Sequence, residues 1–251
     1  MFPLRDENPT LRTPVATIAI IAVNVLVWAT LQGFGASLPL LQSLCDWALI
    51  PGELLGYLRE GESVSFGPTV ECILEDRAPL LTPFTSMFMH GSWMHIIVNM
   101  WFLWVFGDNV EDAMGPGRFL GFYILCGLAA AAAQILSDPA SPIPMVGASG
   151  AIGGVMGAYA RLYPHARVEN LVPLGFYITI IGVPAYFMLG YWFLLQLLEG
   201  LITPPGQGGV AFWAHAGGFI AGLLLIRPLH RPDFLAERLH QTPRIRSRWR
   251  W

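Results

Sequence analysis

The chain has 251 residues, of which 54% are hydrophobic and only 12% charged, and its mean hydropathy is +0.53. A soluble domain carries about a quarter of its residues as charges, so the composition excludes an ordinary globular protein and points to a polytopic membrane protein. The net charge is -3 and all fourteen basic residues are arginine, while three cysteines exclude a disulfide-rich scaffold.

The opening residues are polar and include Arg5 and Arg12. Val15 to Leu31 is then apolar over the length needed to cross a ~30 Å hydrocarbon core. A cleaved signal peptide competes, because Gly33 to Ser37 are small, but the run is long for a signal core and five further apolar segments follow. A first transmembrane helix is the preferred reading.

A long connection runs from about Gln32 to Met89, with Trp47, Pro51 and many acids between short apolar patches. It is too long for a structureless loop, so part of it is expected to form interfacial helix. Cys45 and Cys72 share this connection and can pair if it faces an oxidising compartment, although spacing alone does not fix their geometry. Cys126, inside an apolar run, reads as a packed thiol.

The second span, about Trp93 to Phe106, carries His95 and Asn99 one helical turn apart. Its aromatic residues Trp93, Trp101, Phe102 and Trp104 read as lipid-facing, and Gly107 to Asp112 as an exit to water. The third span, about Phe119 to Leu136, ends in Ala129 to Ala133, small residues that allow close helix approach.

The fourth span starts at Ser149, within Val146-Gly147-Ala148-Ser149-Gly150, and reaches only to about Tyr163. Fifteen residues at 1.5 Å each give roughly 22 Å, against a core of about 30 Å, so one end must lie below a membrane surface, beside protein or a water-filled cavity. The fifth span is read as Pro184 to about Leu198, after an interfacial or partly extended lead-in from Leu171. The sixth runs from about Phe212 to Ile226 and opens with Trp213-Ala214-His215-Ala216-Gly217-Gly218. The tail from Arg227 holds seven arginines and reads as a solvated anchor at anionic headgroups, without the groove that a nucleic-acid site requires.

Six spans put both termini on one side. That side holds Arg5, Arg12, Arg118, Arg161, Arg167 and the seven of the tail, against Arg59 and Arg77 on the other. The positive-inside rule then places the termini in the cytoplasm and the first loop outside. Ser149 and His215 fall together on the outer half.

The polar residues of the spans are Asn24, His95, Asn99, Gln134, Ser149, Gln196 and His215. In lipid such groups are costly unless paired or hydrated. A lone transmembrane serine is usually back-bonded to its own helix, and a lone histidine is often a relay or an interhelical hydrogen bond. It is the shared depth of His95, Asn99, Ser149 and His215 that argues for chemistry. A serine nucleophile needs a base, which imidazole supplies, and donors for the developing oxyanion, which the Ser149 N–H, Asn99 and His95 can supply. No acid lies within a span, so the arrangement is a dyad unless Glu199 reaches in from its loop. Gly150, Gly153, Gly154 and Gly157 on the fourth helix, and Gly217, Gly218, Ala221 and Gly222 on the sixth, allow the two backbones to approach.

These residues resemble those of the rhomboid intramembrane serine proteases. Gly147-Ala148-Ser149-Gly150 is similar to their Gly-x-Ser-Gly motif, His215-x-x-Gly218-x-x-x-Gly222 to their sixth-helix motif, and His95-x-x-x-Asn99 to their second-helix pair. Leu81 through Asp112 and Trp47 to Pro51 resemble the bacterial branch. The resemblance covers roughly residues 14 to 228. It implies an all-α, six-transmembrane-helix bundle with Ser149 as nucleophile, His215 as general base, and Asn99, His95 and the Ser149 backbone as oxyanion hole. Gly147, Gly150, Gly218 and Gly222 support the site, and Pro184 to Ala211 form a substrate gate. Many members carry an aromatic four residues after the serine, on the histidine ring, where this chain has Gly153. The Trp-Arg pair of some first loops is also missing.

The expected organisation is a cytoplasmic segment 1–14, a membrane domain 15–228 with its first outer loop at about 32–91, and a basic cytoplasmic tail 229–251. The expected activity is hydrolysis of peptide bonds in or near transmembrane segments of other proteins, with no metal, cofactor or nucleic acid, in a bacterial inner membrane with the site toward the outer face. A non-catalytic relative that binds membrane clients is the alternative, and loss of Ser149 or His215 would mark it. A proton-coupled transporter would show an internal repeat, and none is evident.

Overall fold

The computed structural model describes residues 2–65, 71–74, 79–175, 177–204 and 209–241. Most of them are helical. Helix α1 is Val15–Thr30, α5 Trp93–Met114, α6 Pro116–Ser137, α7 Ser149–Leu162, α8 Ala185–Ile202 and α9 Phe212–Leu229. Among the described residues α6, α8 and α9 are each long and apolar enough to cross a membrane, and α1 is a shorter apolar helix.

Between α1 and α5 lie the helices α2 (Ser37–Trp47), α3 (Pro51–Leu54) and α4 (Thr82–Thr85) and the antiparallel pair β2 (Ser63–Ser65) and β3 (Glu71–Ile73). Ile50, Val64 and Leu74 form a small core there, and a Cys45–Cys72 disulfide closes it with Cα atoms 5.7 Å apart. The connection is tied to the segment before α7: Leu49 pairs with Met145, and the Gly147 N–H donates to the Ser86 carbonyl at 2.9 Å. Glu75, Asp76 and Arg77 lie outside the described residues, as do residues 242–251 of the expected tail.

Three expectations need correction. The fold is not wholly helical: β1 (Phe2–Asp6), β4 (Arg167–Leu174) and β5 (Tyr177–Pro184) form an antiparallel sheet in the order β1-β4-β5. The lead-in to α8 is rich in Val, Ile and Thr, which favour the extended backbone; it becomes a hairpin turning at Gly175, whose φ is 63°, and the free edge of β4 takes up the N-terminal segment, with Phe2 opposite Leu171.

The second correction concerns Gly107 to Asp112, which continue α5 rather than leave it. Asn109, Glu111 and Asp112 are buried because each has partners. Glu111 accepts from the Ala16 N–H at 2.9 Å, the Thr17 N–H at 2.7 Å and the Thr17 hydroxyl at 2.8 Å, so it caps the start of α1, whose first N–H groups have no partner within that helix. Asp112 accepts from the Leu11 and Arg12 N–H groups. The chain turns only at Gly115, with φ 80°, and Pro116 opens α6.

The tail is likewise not all solvated. Helix α10 (Pro232–Gln241) docks at this end of the bundle. Arg238 is 2% exposed and donates to the Tyr163 hydroxyl at 2.7 Å and to Asn109.

The centre is a three-helix contact of α6, α7 and α9. A Cβ added to Gly218 would overlap the carbonyl of Gly150, and one added to Gly222 would overlap that of Gly154. Gly150 faces Ala130 of α6 and Gly154 faces the buried Cys126. The small residues expected to let helices approach therefore do so, with backbone against backbone.

Candidate active site

Close packing of α7 on α9 brings their first turns together. Ser149 is the first residue of α7 and His215 lies in the first turn of α9. His215 Nε2 is 2.8 Å from Ser149 Oγ, a hydrogen-bond distance. Ser149 is thus bonded across helices to an imidazole. A hydroxyl in this contact can pass its proton to the ring as its oxygen becomes nucleophilic.

The Ser149 N–H and the His95 ring stand beside the same point. The Ser149 N–H belongs to the first turn of α7, where backbone N–H groups have no intrahelical acceptor and the helix dipole favours negative charge. Helix α5 starts at Ser92, whose side chain accepts from the His95 N–H, and this fixes the turn that carries His95. The Gly91 N–H donates to His95 Nδ1 at 3.3 Å, which leaves the neutral ring's proton on Nε2. That edge faces Gly147, where a Cβ would stand 2.7 Å from His95 Nε2 and 3.6 Å from Ser149 Oγ. With φ 122° as well, Gly147 is a position only glycine fits. Asn99, one turn further along α5, is 5% exposed, and its Nδ2 has no hydrogen-bond partner among the described residues. A buried amide donor without a partner is costly unless something arrives to accept from it.

Space for a reactant adjoins Ser149. A cavity of about 20 Å³ is lined by Ser149, Gly150, Gly147, Met87, Ala130 and Ala214, enough for one water. Met145 and Ala211 line both this cavity and a vestibule of about 260 Å³, which has Gln134, Ser137, Asp138 and Ser141 on one side and Phe212 and Trp213 on the other. Polar side chains thus line the larger of two neighbouring cavities, the smaller of which holds Ser149.

The remaining polar residues of the helices divide. Asn24 is bonded to its own helix at the Ile20 carbonyl, and Gln134 accepts from the Ala214 N–H at the start of α9. Glu199 is exposed. Gln196, one turn before it on α8, reaches His215 instead: its Oε1 lies 2.7 Å from His215 Nδ1. The signal for it was present in the sequence as a glutamine inside an apolar helix, which must find a partner in lipid. Gly153, four residues after Ser149, carries no ring, and the ring beside His215 comes from α8 as well, Trp192, with centroids 5.7 Å apart.

Comparison with known proteins identifies the family of the chain. Rhomboid-like protease 5 of Toxoplasma gondii is 34% identical over 166 residues, 61% of this chain and 17% of that protein. Rhomboid protease GluP of Bacillus subtilis is 31% identical over 153 residues, 61% of this chain and 26% of GluP. Rhomboid protein 1, mitochondrial, of Saccharomyces cerevisiae is 28% identical over 146 residues, 55% and 39% of the respective chains. This chain spans less than half the length of each of these relatives. The Rhomboid domain pattern matches residues 78–232, a stretch that holds His95, Asn99, Ser149 and His215, and the chain belongs to the rhomboid family of membrane proteins.

Proposed function

We propose that the protein is an intramembrane serine endopeptidase that cuts transmembrane segments of other membrane proteins. The observation that carries this reading is the 2.8 Å contact between Ser149 Oγ and His215 Nε2 at the start of two helices. Ser149 Oγ attacks the scissile carbonyl carbon while its proton passes to His215 Nε2. The carbonyl oxygen, now an oxyanion, accepts from the Ser149 N–H, His95 Nε2–H and Asn99. Collapse of the tetrahedral species breaks the C–N bond, and the imidazolium gives its proton to the leaving amine. Water from the vestibule then repeats the sequence on the acyl-enzyme, and Ser149 is restored. These steps require neither a metal nor a cofactor.

The membrane domain of this reading is residues 15–228, with α1, α5, α6, α7, α8 and α9 as six spans. Helix α7 has only 14 residues, about 21 Å at 1.5 Å each, so its serine end is recessed below the surface. Twelve arginines accompany the termini and two the first loop, which favours cytoplasmic termini and an outward-facing Ser149; a disulfide in the first loop suits an oxidising outer compartment. A bacterial inner membrane fits these features, with the basic tail at anionic headgroups. Substrates enter past α8 and the connection to α9, of which residues 205–208 lie outside the described residues, and small residues at the cut and a helix that unwinds readily suit the recessed serine.

The test is labelling by a fluorophosphonate probe and cleavage of a model transmembrane substrate in detergent. Ser149→Ala and His215→Ala are each expected to abolish both. Cleavage retained by Ser149→Ala overturns the proposal.

A further inference from the structure

We propose that Gln196 is a positioning residue for His215, holding the ring in the tautomer and orientation that Ser149 requires. The inference rests on the protease reading of the Ser149–His215 pair.

The direction of the hydrogen bonds carries it. Gln196 is 9% exposed. Its Nε2 donates to the Trp192 carbonyl at 3.4 Å, which turns Oε1 toward His215 Nδ1 at 2.7 Å. An amide oxygen only accepts, so the imidazole proton sits on Nδ1 and Nε2 is left bare toward Ser149, at 2.8 Å. With the amide reversed, an N–H would face Nδ1, the proton would move to Nε2, and the ring would donate to Ser149 instead of taking its proton. Fixing a tautomer through the far nitrogen is how an orienting group serves a histidine base.

Packing makes the same assignment. At Gly153 a Cβ would stand 3.0 Å from the His215 carbonyl and 3.7 Å from Trp192 Cη2, so the indole already occupies the room a side chain there would seek. Trp192 and Gln196 are one turn apart on α8, and together they meet the face and the Nδ1 edge of the ring. The base is therefore aligned while α8 is packed on α9. The other groups that face the ring are Ser149 from α7 and, beside Ser149, the neutral imidazole of His95 from α5; His95 is left intact in every variant below.

The experiment measures probe labelling and substrate cleavage against pH for the full-length wild type, Gln196→Met, Gln196→Glu and Ser149→Ala in detergent, with thermal unfolding as a check on folding. Gln196→Met removes the acceptor at nearly constant volume. Its rate is expected to fall roughly 10- to 100-fold, the effect of leaving a buried donor unpaired, and the acid limb of its profile to move to lower pH, because the imidazolium loses an acceptor. Gln196→Glu is expected to keep the rate within about tenfold, since an acceptor remains, and to move the acid limb to higher pH. Equal losses in both variants with an unshifted acid limb describe packing alone and overturn the proposal, as does a wild-type rate in Gln196→Met. If Gln196→Met does not fold, an unshifted limb in Gln196→Glu overturns it. An inactive Ser149→Ala beside two Gln196 variants of wild-type behaviour rejects only the positioning role, whereas an active Ser149→Ala rejects the protease reading beneath it.

Discussion

Gly222 of α9 lies against the Gly154 carbonyl of α7 so closely that a Cβ on Gly222 would overlap that oxygen. The contact sits two turns below the Ser149–His215 pair and sets the spacing of the helices that carry it. Gly222→Ala is expected to cost about 1–3 kcal/mol by overpacking, and to reduce probe labelling further by separating Ser149 from His215. Gly190 of α8 has nothing within 4 Å of an added Cβ, so Gly190→Ala should leave stability within about 0.5 kcal/mol. Thermal unfolding in detergent compares the two, and equal behaviour would show that the helices are not limited by this contact.

The glycines that make this contact were legible in the sequence because small residues at helical spacing need no knowledge of the partner's rotation. The glycine-flanked start of α7 at Ser149 was legible for a similar reason, since it lies within a few consecutive residues. Gln196 was visible as a polar residue in an apolar helix, but its partner depends on how α8 turns against α9, and no local pattern records that. The end of α5 was misread because Glu111 and Asp112 are satisfied by residues about a hundred positions away. Distance along the chain also hid the sheet, where Arg5 pairs with Glu169.

Glu111 is the cap of a helix other than its own. Its carboxylate takes three hydrogen bonds from Ala16 and Thr17 while 2% exposed. Glu111→Ala strands those donors in a buried place and is expected to cost about 2–3 kcal/mol, the range for bonds to a charged group. Glu111→Gln keeps an acceptor and should cost less. Thermal melting of the two variants checks the order, and an unchanged Glu111→Ala would remove the cap from the account of how α1 is anchored.

Asp6 makes stability depend on pH. Burial pushes its carboxyl up to about 7, opposed by the hydrogen bond from Tyr159 and assisted by nearby Asp108. Asn109 Nδ2 also donates to it, at 3.0 Å. The unfolded value is near 3.9. Between about pH 4 and 7 the folded protein therefore holds a proton that the unfolded chain releases, so this contribution favours the fold at the acid end and is lost as pH rises through about 7. The total is at most about 4 kcal/mol. Asp6→Asn should flatten that part of a melting-temperature profile, and an unchanged slope would show that Asp6 does not titrate there.

Gly153 and Trp192 should prove to be exchangeable solutions to one packing problem. A side chain at Gly153 starts 3.0 Å from the His215 carbonyl and runs toward an indole 3.7 Å from its Cβ, so Gly153→Tyr alone collides with Trp192 and displaces the His215 ring. Trp192→Ala alone removes the aromatic face 5.7 Å from that ring and frees it to turn. Each single variant is expected to lower the probe-labelling rate about tenfold or more, the scale of a misaligned catalytic group. In the double variant the tyrosine enters the volume the indole has left, and the rate should exceed that of either single variant. The predicted coupling is favourable, about 0.5–3 kcal/mol, and labelling rates for the four proteins of the cycle measure it. Simple addition of the two losses would mean that the indole and the missing aromatic do not share a site.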